Sequence, residues 1–179
     1  MTVALTYDID AIMAGSDSSA KVLHRLWETL GTTAREALIS VERVLMDAWT
    51  FDSTMGNGLC DLIANENFDS IANGLRALRD LGRPRLDQFV SEVAMTFEAH
   101  GIDVTTGNSI AHLRDLPADQ RATLESALKG CEKPFLDEIW IDGIIIGAAN
   151  DYLNQNLELL RERRAEQVSG GNGDATRLP

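Results

Sequence analysis

Ser18-Ser19-Ala20-Lys21-Val22-Leu23-His24-Arg25-Leu26-Trp27-Glu28-Thr29-Leu30-Gly31 decides the fold class. Val22, Leu23, Leu26, Trp27 and Leu30 recur at three- and four-residue steps, so they share one face of an α-helix. Either serine can cap the free N–H groups at its start, and Gly31 supplies the stop. The same grammar repeats along the chain. Thr33 with Glu36 three residues on forms a capping box ahead of Leu38, Val41, Leu45 and Trp49. Leu59–Ala64 reads as a short helix, and Phe68, Ile71, Leu75 and Leu78 make a stripe that stops at Gly82. Pro84 suits a first turn, with Leu86, Phe89, Val90, Val93 and Phe97 following before Gly101. Ile102 to Asn108 is the loop candidate. Pro117 opens a helix through Leu124 and Leu128, and Pro134 starts a short one through Trp140. Asp142 caps a last long helix running through Ile145, Ala149, Tyr152 and Leu160 toward Glu166.

Ile102–Val104 and Ile139–Ile146 gather β-branched residues, yet neither has a strand partner in the pattern. The reading is an all-α, single compact domain of about eight or nine helices over residues 1–166. A flexible, disordered tail is expected over 167–179, where glycines cluster and apolar periodicity ends. With 179 residues, 44% of them apolar, the chain can bury one sizeable core. No fixed-period repeat points to a solenoid. The two cysteines, Cys60 and Cys131, are far apart and offer no redox or zinc pair. Met1 to Met13 carries Asp8 and Asp10, unlike a secretory leader. The most apolar window, Ile139 to Ala149, is about half of a bilayer span and contains Asp142. A reduced, cytoplasmic protein with no membrane role is expected.

Charge is the distinctive feature: 28 acidic residues against 16 basic give a net charge of −12. Such a surface is repelled by phosphate backbones and anionic membranes, so no direct nucleic-acid binding is expected. The one compact basic cluster, Arg161, Arg163 and Arg164, sits at a predicted helix end, where cations complement the dipole. Eleven of the twelve excess negative charges fall between Asp47 and Leu160. The apolar faces of those segments account for the core, which sends the acids outward. The expected partner surface is Asp61, Glu66, Asp69, Asp80, Asp87, Glu92, Glu132, Asp137, Glu138, Asp142 and Asp151.

Chemistry-bearing motifs are missing from the pattern. His24, His100 and His112 lie on different segments with no second ligand one helical turn away. Asp52-Ser53-Thr54-Met55-Gly56-Asn57-Gly58 has the colouring of a calcium loop, but Ile63 stands where its twelfth-position acid would be. Gly56-Asn57-Gly58 reads as a tight turn between helices. No serine or cysteine sits in a nucleophile signature. Accordingly no catalytic, cofactor-binding or metal site is assigned, and no cofactor.

Gly58-Leu59-Cys60-Asp61-Leu62-Ile63-Ala64-Asn65 resembles the turn-and-short-helix motif of a small bacterial all-helical family, best known through an acidic DNA-mimic protein. Gly58, the apolar Leu59 and Asn65 fit that frame. Gly56 and Asn57 stand where the family has Asn and Gly, and Cys60 and Leu62 replace polar and aromatic choices. Leu75 to Gly82 is similar to the end of the family's following helix, and Ala149 to Asn156 to its last one. The likeness covers about Leu38 to Leu160. It implies a non-enzymatic protein whose carboxylates imitate DNA phosphates and occupy a basic partner, such as a DNA-binding regulator or nucleoid protein. Duplex DNA carries one negative charge per ≈ 1.7 Å of axis, a field that a rigid acidic helical face can copy. Two other readings stand beside it. One is a small-molecule-binding or enzymatic domain with a polar cleft near residues 49–65, walled by Trp49 and Tyr152. The other is an immunity or regulatory partner protein. A homodimer is left open.

Overall fold

The structure, a computed structural model, describes residues 7–65 and 67–162. Glu66, Arg163, Arg164, Glu166 and the expected tail lie outside the described residues. Within them the chain is all-α, with no strand. α1 (Ile9–Ala14) follows Asp8, whose carboxylate accepts from the N–H groups of Asp10 and Ala11 at 3.1 and 3.2 Å. α2 (Ser19–Leu30) uses Ser18 as its cap, and buries Val22, Leu23, Leu26 and Leu30.

α3 (Ser40–Met55) begins later than Thr33 and Glu36 suggest. Arg35–Ala37 form a 3-10 turn, and the acid that reaches back to the helix start is Glu42, accepting from the Ile39 N–H at 2.9 Å. Tyr7 donates its hydroxyl to the same carboxylate at 2.9 Å, which is why Glu42 can be buried. α4 (Leu59–Ala64), α5 (Phe68–Asp80) and α6 (Pro84–Glu98) fall where periodicity puts them, with Pro84 in the first turn of α6. A loop over residues 102–106 leads into α7 (Gly107–Ala111), and a 3-10 turn follows over His112–Asp115.

Three expectations near the C-terminal side are corrected. Pro134 does not open a helix: α8 (Ala118–Phe135) runs through it, then widens into a π-turn over Leu136–Trp140. Proline removes one i→i−4 bond, and local widening of this kind accommodates the loss. Nor does Asp142 cap the next helix. Gly143, left-handed at φ 63°, turns the chain into α9 (Ile144–Gln155). That helix breaks at Asn156 before helical residues resume over 157–162. The β-branched run Ile139–Ile146 is therefore split between a π-turn and a helix start.

One core cluster extends from Tyr7 to Leu160. At its centre the Phe51 ring meets Phe89 and Phe135 at centroid distances of 6.4 and 6.2 Å, and those two rings lie 4.2 Å apart. α3 and α5 approach closely because position 74 is glycine. A Cβ there would overlap Phe51 Cδ2 and sit 2.7 Å from its Cγ. No helix among the described residues is long and apolar enough to cross a membrane.

Candidate functional site

Gly58 adopts φ 88° and ψ 164°, a region open essentially to glycine alone. This conformation lets the chain leave α3 and enter α4 directly beneath α8. There the Glu132 carboxylate accepts from the Cys60 N–H at 2.9 Å. Glu132 is only 9% exposed, so its place on the expected acidic surface is corrected: it is an interior cap for the start of α4. Burial and the adjacent Glu132 charge push the Cys60 thiol up to about 12, so it is a protonated packing group rather than a nucleophile. At the far end of α4 the Asn65 amide donates to Asp61 Oδ2 at 3.0 Å, and its N–H to the Asp61 carbonyl at 2.9 Å. Gly58 and Asn65 thus bracket α4 as its N- and C-terminal caps.

The region around residues 49–65 is held by aromatic packing. Trp49 lies 5.5 Å from the His24 ring. The Trp140 indole donates to the Asp52 carbonyl at 3.1 Å and covers Gly56. Burial pushes the Asp52 carboxyl up to about 6. Tyr152 lies instead in a cavity with Asp80, Arg83 and Gln155. Trp49 is not among the walls of that cavity.

The remaining acids are outside. Asp61, Asp69, Asp80, Asp87, Asp137, Glu138, Asp142 and Asp151 are exposed, and Glu92 is half-buried. Five of them fall along one track beside α6 and α9. Glu92 and Glu138 line a cavity of about 240 Å³ floored by Phe89 and Phe135. Arg85 belongs to that cavity and to the next, of about 560 Å³, which holds Asp142 and Asp151. Arg83 and Asp151 continue into a third, of about 280 Å³, which holds Asp80 and Tyr152. Burial and the Asp80 charge both raise the Tyr152 hydroxyl above its ordinary range, so it stays a neutral donor at the track's end.

Arg83 is ion-paired to Asp151. Asp80, Glu92, Glu138 and Asp142 have no ion pair among the described residues. Trp140, 41% exposed, and Ile141, 68% exposed, are apolar residues on the surface immediately before Asp142 in the chain. Arg161 does not act as a free cation at a helix end. It binds Asp10 at 2.6 Å and Glu158 at 2.5 Å, tying the last helical residues to α1.

Sequence reasoning passed over Arg83 and Arg85, which divide the track, and the arginines of a cavity between α3 and α5 described below. They are scattered in sequence, so only the fold gathers them. No protein-family model, no curated protein and no solved structure matches the chain.

Proposed function

We propose that this chain is a non-enzymatic acidic interaction protein that occupies a basic DNA-binding protein in place of DNA. The observation that carries the reading is the track of Asp80, Asp151, Asp142, Glu138 and Glu92 along three connected cavities. Four of those carboxylates have no ion pair among the described residues, and incompletely relieved like charge costs folding free energy that a cationic partner would return. The helices fix the carboxylates in space, so little ordering entropy is lost on association. Arg83 and Arg85 set a register: a partner's cations can settle only between them. Trp140 and Ile141 offer the apolar anchor that charged rims alone lack. The resemblance to the acidic DNA-mimic family points the same way.

The test begins with affinity capture by the full chain from its native cell at about 50 and 500 mM salt, a range over which contacts between exposed charges are strongly screened. The captured protein is then titrated onto its DNA with and without the chain. The expected result is capture at low salt only, and loss of the DNA complex as the chain is added. The triple variant Asp137→Asn, Glu138→Gln, Asp142→Asn should keep its helicity and lose the competition. Equal binding at high salt, or a triple variant as effective as the parent, overturns the reading.

A further inference from the structure

A second site of opposite character lies between α3 and α5. Arg35, Arg43 and Arg76 line one cavity of about 330 Å³, together with Ser40, Asn73 and Asp47. In a chain with net charge −12, gathering three arginines, one of them the exposed Arg76, around one small space demands a physical reason. Each carries five N–H donors. Arg35 gives two to Asp47, through Nε at 3.4 Å and through Nη2. Arg76 gives one to the Thr105 carbonyl at 2.7 Å and one to Asn73 Oδ1 at 3.3 Å, which fixes the orientation of its fork. Arg43, half-buried, has no ion pair or hydrogen bond from its side chain among the described residues. Asp47 and Asp80 are the carboxylates on the wall, so the cavity keeps an excess of positive charge.

We infer that this cavity binds a small phosphate monoester. Three donors approaching from two helices and the preceding turn suit a tetrahedral dianion with three acceptor oxygens, whereas a planar carboxylate is matched by one guanidinium fork. Ser40 is the first residue of α3, a helix of 16 residues, so the positive end of that helix faces the same space. Val44 and Ala77 supply an apolar floor, and the volume exceeds that of a bare phosphate. The ester's organic group covers that floor while its phosphoryl oxygens meet the arginines.

The experiment is calorimetric titration of the full chain with phenyl phosphate at pH 7.5 and low salt, beside inorganic phosphate and succinate at matched ionic strength. Phenyl phosphate should bind saturably at one site, more tightly than either control. Arg43→Gln should weaken it at least about tenfold, the cost of one charge-assisted donor, while the ligand-free melting temperature stays unchanged. Ser40→Glu offers a second variant with an intact fold, since an acid in the first turn favours the helix. It places a carboxylate in the cavity and should abolish binding. Absence of saturable binding, binding unaffected by Arg43→Gln or by Ser40→Glu, or a control as tight as the ester overturns the assignment.

Discussion

Gly58→Ala tests the hinge on which α3, α4 and α8 meet. The backbone at φ 88° and ψ 164° is closed to a residue with a Cβ, at a cost of about 1–3 kcal/mol. The added Cβ would also lie 3.0 Å from Glu132 Oε2 and 3.1 Å from its Oε1. Moving that carboxylate breaks its bond to the Cys60 N–H, a charged hydrogen bond of about 1.5–3 kcal/mol. Alanine's lower unfolded-state entropy returns about 0.4–1 kcal/mol. The net loss is about 2–5 kcal/mol, and a chain of this size should drop in melting temperature by roughly 5–15 °C. Gly58→Val should cost more. Urea unfolding of Gly58→Ala, Glu132→Ala and the double variant separates the two contributions. Without Glu132 the second substitution should cost only its backbone strain, leaving a coupling of about 1.5–3 kcal/mol. Thiol alkylation at pH 8 gives an independent reading. Cys60, pushed up to about 12 by burial, should resist in the parent and become accessible in Gly58→Val. Parent-like stability in Gly58→Ala, or an equal loss with and without Glu132, would refute the hinge.

Two further substitutions address the core and a half-buried acid. Gly74→Ala should destabilise by about 1–3 kcal/mol in urea unfolding despite alanine's better helix propensity, because the new Cβ meets Phe51 near its own Cβ, where ring rotation gives no relief. Asp52 has its folded-state pKa raised to about 6 by burial, so its proton-linked stabilisation is complete below the unfolded value near 3.9 and is lost as pH rises through 6. Asp52→Asn should therefore melt higher than the parent at pH 7.5, and the difference should shrink toward zero at pH 4; a difference independent of pH would sink the assignment to that carboxyl.

What could be read from the sequence was local. α2 announces itself because its cap, stripe and stop lie within fourteen consecutive residues, from Ser18 to Gly31. The start of α3 misleads because Glu36 stands three residues after Thr33, a plausible cap, whereas Glu42 stands three residues after Ile39, whose side chain cannot cap. What selects Glu42 is the Tyr7 hydroxyl, 35 residues away. Pro134 follows a local rule that the core overrides: Phe135 is buried against Phe51 and Phe89, and that packing carries the helix one residue past the proline. Glu132 has the local signature of a surface acid, and its partner, Cys60, is 72 positions distant. For the same reason the arginines of the α3–α5 cavity form no cluster along the chain, while the acidic balance, a property of composition, was plain.

The acidic track and the arginine cavity are not independent, because Asp80 lines both. On one side it ends the row of carboxylates beside Tyr152. On the other it lowers the positive field that Arg35, Arg43 and Arg76 set up. A dianion seated among those arginines cancels their attraction for Asp80 and leaves its charge more fully available to the track. A cationic partner on the track, conversely, compensates Asp80 and makes the cavity more receptive to an anion. Linkage requires the two effects to be equal in free energy, so each ligand must tighten the other by the same factor. The sign follows from the charges alone, whereas the size depends on screening across the last turn of α5 and should fall as salt rises. Neutralising Asp80 removes the shared wall charge, so Asp80→Asn should bind phenyl phosphate more tightly than the parent while weakening association at the track. The proposed acidic face and the proposed phosphate cavity, joined at one carboxylate, would in this way form a single electrostatic system, and the proposal predicts that partner association strengthens when phenyl phosphate fills the cavity.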